Sequence, residues 1–386
     1  MTQSGPVAIV GAGIAGLTAA LSFACKGIAV DIVDQRPALT EVGAGLQLSP
    51  NATRILDRLE LASRLEQVWS EPTSVNLVDG ASLRTVASVP SGKFARDRWN
   101  APYGVLHRAD LQKILLDAVE ANPLCRVHLG IRIEGGAREA ISGLLGAKPR
   151  LVVGADGVWS RLRNEVQGAG KAIFSGNVAW RFTLGEALAP PALDFTKVTA
   201  FLGGGAHLVA YPLQRTRNFN IVAIASGRST GEVRDVSPAP EGTRDDCIAA
   251  FRGWHPQIIE ALGKAEAPTL WPLYQVTDGG WNQGDDIILI GDAAHAMMPF
   301  AAQGAAMAIE DAFELASFIS RDLPLAAYVA HRKARIGKVR ARGNFNRFAY
   351  HARGPVRLGR DLVLSLRRPE RLAADFDWLY GYEPQD

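Results

Sequence analysis

Two short segments carry residue types and spacings that chemistry uses. In His207-Leu208-Val209-Ala210-Tyr211-Pro212 the apolar run reads as a strand, so His207, Val209 and Tyr211 project to one face. An imidazole beside a phenol there suits acid–base work on an aromatic hydroxyl, since an unperturbed histidine titrates near neutrality. The plainer alternative is a histidine satisfied within the sheet. The second segment, Gly11-Ala12-Gly13-Ile14-Ala15-Gly16, follows the apolar run Val7 to Val10 and opens a helical pattern. Gly11 permits the tight turn, Gly13 lets a pyrophosphate approach the backbone, and Gly16 lets the helix pack on a sheet. Phosphates would then sit on the helix N-terminus, where free N–H groups favour anions. Asp34, 23 residues past Gly11 at the end of the next strand, can accept hydrogen bonds from an adenosine ribose. A carboxylate there disfavours a 2′-phosphate, which points to FAD or NAD; Gln35 and Arg36 border the same site.

The elements that would position these groups alternate in style along the chain. Strand, turn, helix and strand fill residues 7–34, a βαβ unit. A helix is predicted at about 51–67 and a β-like stretch at 73–89. A helix from Arg108 to about Ala121 and strands at 126–129 and 150–153 follow. From 173 to 225 short alternating runs read as an antiparallel sheet. A helix near 243–263, an all-apolar strand at 287–290 and a small-residue helix from about Ala301 to Ile319 complete the pattern. The boundaries expected are a discontinuous nucleotide-binding domain at 1–70, 98–172 and 280–325, a β-sheet substrate domain at 71–97 and 173–279, and a helical segment at 326–386.

Composition narrows the class. With 386 residues, 47% of them apolar and 21% charged, the chain has globular usage and room for a cleft, which excludes disordered and fibrous classes. The three cysteines Cys25, Cys125 and Cys247 lie far apart, suggesting neither disulfides nor a cysteine metal site, and no metal is expected. The absence of a leader pattern and of a membrane-length apolar run predicts a cytoplasmic protein without membrane contact. Between Arg332 and Arg371 stand 13 Lys and Arg against only Asp361 and Glu370. Interleaved apolar residues make this a helical segment with a solvated basic face against an acidic body, and nucleic-acid binding is not expected.

Two further motifs point to one family. These are Gly154-Ala155-Asp156-Gly157-Val158-Trp159-Ser160-Arg161-Leu162-Arg163 and Ile290-Gly291-Asp292-Ala293-Ala294-His295, the latter followed by Pro299 and Gln303-Gly304-Ala305. With the glycine turn they resemble the single-component, class A FAD-dependent aromatic hydroxylases, in the branch of salicylate hydroxylase, 3-hydroxybenzoate 6-hydroxylase and 6-hydroxynicotinate 3-monooxygenase. The resemblance extends to Asp377-Trp378-Leu379-Tyr380-Gly381-Tyr382. It implies an α/β fold of the p-hydroxybenzoate hydroxylase kind: a Rossmann-like FAD-binding domain, an inserted mainly antiparallel β-sheet substrate domain and a C-terminal helical segment.

The resemblance also implies roles. Asp292 would hold the flavin ribityl chain, while Pro299, Gly304 and Ala305 would bring a helix N-terminus, about half a positive charge, to the flavin pyrimidine edge. Close helix packing is the alternative for that small-residue run. Asp156 and Arg163 lie in the motif that touches the FAD pyrophosphate side, and Arg108 resembles an arginine that reaches the FAD. His207 and Tyr211 match a His-x-x-x-Tyr-Pro segment that meets the substrate hydroxyl, so that deprotonation readies the ring for attack by a flavin hydroperoxide. Gln303 would add a polar contact. Gln47 replaces a histidine of the hydroxynicotinate relatives, which weakens a pyridine substrate. Arg181 would assist flavin movement or bind a carboxylate, with a sheet-edge charge as the alternative. His295 has no third partner that would make a metal site or a relay. The implied partners are bound FAD, NADH or NADPH as a transient co-substrate, O2 and a small aromatic acid, in a monomer or homodimer. A dehydrogenase of the same fold without oxygen insertion, and a binding protein with a basic tail, are the competing readings.

Overall fold

The computed structural model describes residues 5–39, 45–229, 231 and 242–385. In chain order, β1 (Val7–Val10), α1 (Ile14–Cys25) and β2 (Val30–Asp34) make the expected opening unit. Next come β3 (Gly45–Leu48), α2 (Pro50–Arg58), α3 (Ala62–Leu65), β4 (Ser74–Asp79), β5 (Thr85–Pro90) and α4 (Lys93–Trp99). Then follow β6 (Gly104–His107), α5 (Arg108–Glu120), β7 (Cys125–Leu129), α6 (Ala137–Leu145) and β8 (Leu151–Gly154). The middle of the chain holds β9 (Ala172–Gly185), β10 (Lys197–Gly203), β11 (Ala206–Leu213), β12 (Asn218–Ser226), α7 (Thr243–Ala250), α8 (Pro256–Lys264) and β13 (Glu266–Val276). The remainder is β14 (Asn282–Gln283), β15 (Ile287–Leu289), α9 (Asp292–His295), α10 (Gly304–Ser320), α11 (Leu325–Tyr350), α12 (Gly354–Ser365), α13 (Pro369–Ala374) and α14 (Asp377–Tyr380).

Among the described residues, the first sheet runs in the order β14-β15-β8-β1-β2-β7. All of its pairs are parallel except the edge hairpin β14/β15. Helices pack over it, and β1 and β2 are buried throughout; β1 is wholly apolar, while β2 carries Asp31, which is paired with Arg126 and His128, and Asp34 at its end. The second sheet runs β13-β9-β12-β11-β10-β4-β5, antiparallel but for β4/β10. One of its faces, with Leu208, Ala210, Ile221 and Ala223, packs on Cys247 and Phe251 of the α7 region and Ile258 and Leu262 of α8. The other face carries His207, Val209 and Tyr211, and the register sets Ile224, Val222 and Asn220 of β12 opposite them. Beyond Val222 lies Arg181 of β9. β3 and β6 form a two-stranded ribbon that touches this face, where Gly45 N donates to Asn220 Oδ1 at 2.6 Å.

Four expectations need correction. The helix expected at 51–67 is broken, because Leu59 caps α2 and Glu60 takes a left-handed conformation (φ 61°). Leu61 N then bonds Leu56 O at 3.0 Å and Glu60 N bonds Asp57 O at 2.8 Å. This Schellman turn buries both Leu59 and Leu61, which one straight helix would not do. The helix expected at 243–263 divides into α7 and α8, with Gly253 at φ 83° and Pro256 opening α8 under a His255 cap. The helix expected from Ala301 starts at Gly304; a 3₁₀ turn over Pro299–Ala301 and Ala302 at φ 52° precede it. The basic segment is not merely a solvated face: Arg332 and Arg335 are buried against carboxylates of α10.

Candidate active site

The glycine turn separates packing from open space. A side-chain carbon at Gly16 would lie 1.9 Å from Gly11 O, and one at Gly11, whose φ is 108°, would lie 2.4 Å from Ala155 O. At Gly13, by contrast, it would meet nothing within 4 Å. Gly13 caps α1 and, with Ala15, is only partly covered, so the first N–H groups of that helix border an open cradle, an arrangement that suits a pyrophosphate. Ala12, Ile14 and the glycine turn are otherwise held tightly. The Asp34 carboxylate accepts from Ala12 N at 2.7 Å and from Arg36 N at 2.8 Å, and Gln112 Nε2 donates to Ala12 O at 3.0 Å. Gln35 is exposed beside them.

Two other turns converge on this cradle. Gly291 (φ 58°) stands so close to α1 and α10 that a side-chain carbon there would lie 3.2 Å from Ala15 and 3.2 Å from Ala308. It presents the exposed Asp292 at the start of α9. Arg163 joins the two distant motifs: Nε donates to Ala293 O at 2.8 Å and Nη1 to Val158 O at 2.8 Å, while Nη2 reaches Asp292 O at 3.2 Å. It is 7% exposed, and its role is to clasp the two turns together. Asp156 accepts from Arg161 N at 2.7 Å through Oδ2, while its Oδ1 is buried with no hydrogen-bond partner. Open space beside Gly13 and Gly304 and a carboxylate oxygen without a protein partner fit a bound dinucleotide such as FAD.

The second sheet closes over the start of α10. Phe300, in the turn that also contains Pro299, packs on Ala179 and Ile224, and its ring lies 5.1 Å from that of His207. His207 is 1% exposed, and burial, helped by neighbouring His351, lowers its pKa to about 3. Burial thus favours the neutral ring and moves His207 away from the ordinary histidine range near neutrality. Its Nδ1 is 3.0 Å from His351 Nε2. Tyr211 is 2% exposed and its hydroxyl is pushed far up by burial, partly offset by Arg181, so it is a proton donor at neutral pH. Its ring covers Gly45, where a side-chain carbon would lie 2.5 Å away.

Arg181 shares this face. Its guanidinium lies 5.5 Å from the Trp271 ring, and Nε is buried without a hydrogen-bond partner. Burial and the nearby Arg108 charge lower its pKa, while Tyr211 and Asp292 act the other way, so these four groups share one electrostatic neighbourhood. Arg108 itself opens α5 behind a His107 cap. Gln47 accepts from Tyr103 Oη at 2.6 Å. Gln303 is not brought to the His207 face by its side chain: Nε2 donates to Ser49 Oγ at 2.9 Å and Oε1 accepts from Asn51 Nδ2 at 3.2 Å. Only its backbone borders Gly304 and Ala305 at the helix start.

Sequence reasoning missed the support beneath α10. Glu310, Asp311 and Glu314 are fully buried there. Arg332 donates to Asp311 Oδ1 at 2.8 Å, to Glu310 Oε2 at 3.0 Å and to Glu314 Oε2 at 3.2 Å, and Arg335 reaches Glu310 Oε1 at 2.8 Å. Asp311 Oδ2 accepts from Gly291 N at 2.9 Å and pairs with His295 Nε2. Burial alone would raise the Asp311 pKa, but His295 and Arg332 more than offset it and hold the carboxylate ionised. His295 is thus a strut between the Gly291 turn and α10. A signal existed: three acids inside an otherwise small and apolar helix, and arginines three apart in the next one.

The family described as "FAD binding domain" matches residues 4–341. The chain is 33% identical to 3-hydroxybenzoate 6-hydroxylase 1 of Aquipseudomonas alcaligenes, over 98% of each protein. It is 34% identical to 3-amino-4-hydroxybenzoate 2-monooxygenase PtnB3 of Streptomyces platensis, over 98% of this chain and 96% of the relative. Among solved structures, a salicylate hydroxylase substrate complex superimposes with a TM-score of 0.78 at 24% identity, covering 99% of this chain and 97% of the other. That likeness speaks for the fold. With a dinucleotide cradle, a clasped Gly291–Asp292 turn and an aromatic sheet face in one chain, the protein belongs to the FAD binding domain family, among the FAD-dependent aromatic monooxygenases.

Proposed function

We propose that this enzyme uses NAD(P)H and O2 to hydroxylate a small hydroxyaromatic acid, salicylate-like or hydroxybenzoate-like. The observation that carries the reading is the juxtaposition of the His207, Tyr211 and Arg181 face with the turn that opens α10. Bound FAD supplies the hydride acceptor and the activated oxygen. Gly11, Ala12, Gly13, Ile14, Ala15 and Gly16, with Asp34, Gln35 and Arg36, form the adenosine and pyrophosphate end of its site. Asp292, Pro299, Gly304 and Ala305 would form the flavin end, with Arg108 and Gln47 at its side, and Asp156 would lie toward the pyrophosphate.

The chain's own groups then divide the work on the substrate. His207, held neutral, has a free lone pair that can receive the phenolic proton, and its lowered pKa makes it a weak base when it acts alone. Tyr211 keeps its proton and donates to the resulting oxygen. Arg181, a cation with an unpaired Nε on the same face, suits the carboxylate. The aromatic walls Phe300 and Tyr350 exclude water from the His207 side. A cytoplasmic setting suits the free thiols Cys25, Cys125 and Cys247.

The test is NADH and NADPH consumption together with oxygen uptake by the purified flavoprotein, using salicylate, 3-hydroxybenzoate and 6-hydroxynicotinate, with product analysis. A phenolic acid that accelerates both and yields a hydroxylated product is the expected result. Reductase turnover with no oxygen incorporated into any aromatic product would defeat the reading.

A further inference from the structure

We infer that His351 is the outer member of a two-imidazole proton relay connecting the His207 face of the sheet with solvent beside α11 and α12. The inference rests on the reading of His207 as the group that meets the substrate hydroxyl.

The two rings come from distant segments and touch directly, His207 Nδ1 to His351 Nε2 at 3.0 Å. Nδ1 is thus the ring nitrogen of His207 that meets His351, while Phe300 and Tyr350 pack against the ring at 5.1 and 5.5 Å. His351 caps α11 and is only partly buried. With Arg347, Phe348, Arg353 and Val356 it lines an open cleft of about 670 Å³. Its position is fixed by the backbone: Gly205 N, in the β10–β11 turn, donates to His351 O at 3.3 Å, and Arg353 donates to Gly204 O at 3.1 Å. The inner ring is thus sealed and the outer one wet.

The charges around the pair set how it must work. Arg347 and Arg353 flank His351, Tyr350 packs on His207 with Arg342 beyond it, and among the described residues no carboxylate is hydrogen-bonded or ion-paired to either ring. Burial lowers the His351 pKa to about 4, helped by those arginines. Neither ring therefore stores a proton as a cation, and His207 alone would be a weak base. A tautomer exchange needs no stored cation. The phenolic O–H bond breaks and its proton goes to His207 Nε2. The Nδ1 proton of His207 passes to His351 Nε2, and His351 releases its own Nδ1 proton to water in the cleft. One proton enters, one leaves, both rings end neutral, and the substrate is left as phenolate.

The FAD-loaded enzyme and its His351→Gln, His351→Ala and His207→Gln variants decide the matter. Glutamine at 351 can still accept a hydrogen bond from His207 but cannot pass a proton on. The first readout is the rate of phenolate formation on rapid mixing with 3-hydroxybenzoate, followed by ultraviolet difference absorbance across pH. His351→Gln is expected to slow it about tenfold or more near neutrality. The effect should vanish above about pH 10, where the free phenol is already ionised. Added imidazole should restore His351→Ala but not His207→Gln. If His351→Gln matches the parent at every pH while His207→Gln is slow, the relay is overturned and the reading of His207 stands. If His207→Gln also matches the parent, both fall. A second readout needs no substrate: nitrogen NMR should find His207 protonated on Nδ1 and His351 bare on Nε2, and the reverse protonation overturns the relay even if the probe does not bind.

Discussion

At the scale of single residues, the site contrasts groups that are locked with groups that are open. Gly13 is the open one. Its φ of −79° suits any residue and no atom lies near its missing side chain, so Gly13→Ala should fold with a stability within about 0.5 kcal/mol of the parent. It should nevertheless lose flavin affinity, read by titrating the apoprotein with FAD and following flavin fluorescence. Retention of full affinity would remove Gly13 from the cofactor site. His207 is the locked one, and its burial has a pH signature. Its pKa is about 3 in the fold and about 6.5 in the unfolded chain. Above pH 6.5 neither state is protonated there. As pH falls from about 6.5 toward 3, the unfolded chain takes a proton that the fold refuses, so stability is lost across that window. By pH 5 the loss is about 2 kcal/mol. Denaturant unfolding of His207→Gln at pH 7.5 and pH 5 should show a decline smaller than the parent's by about that amount.

At the scale of elements, α10 does the most positioning, and it is held from below by ions. Removing one partner of a buried network leaves another charge unpaired, which costs about 3 to 5 kcal/mol. Asp311→Asn should therefore lower the melting temperature. Because Asp311 also holds Gly291 N, it should weaken flavin retention too, read by fluorescence of released flavin during gel filtration. A lower melting point with undiminished flavin would mean that the network serves packing alone. The same element shows what a sequence tells. The parallel strands, the glycine turn and the helix from Arg108 were legible because apolar period and turn chemistry are local signals. The Glu60 and Ala302 breaks were not, since they depend on left-handed residues that are not glycine. The partnership of Glu310, Asp311 and Glu314 with Arg332 and Arg335 crosses a helix turn and shows only in three dimensions. Gln303 was misjudged for a related reason, as its partners Ser49 and Asn51 lie some 250 positions away.

At the scale of the whole molecule, the last described residues tie the structure together. Arg54 of α2 donates to Tyr382 O at 2.6 Å, to Tyr380 O at 3.3 Å and to Trp99 O. Arg335 donates to Trp378 O at 2.8 Å, and the Tyr382 hydroxyl bonds Glu314. Arg54→Met leaves three part-buried carbonyls without this donor and should cost about 1 to 2 kcal/mol. It should also speed amide hydrogen exchange over residues 377–382, followed by mass spectrometry; exchange at the parental rate would show that other contacts anchor them. The ionic strut beneath α10 has a consequence of its own in time. The cradle draws on β1 at the front of the chain, on the Gly291 turn, and on a helix whose counter-ions arrive only at Arg332 and Arg335. Every residue from Gly11 to Arg335 must therefore have left the ribosome before the strut beneath the cradle can close, and until then the nascent acids of α10 wait without their counter-ions.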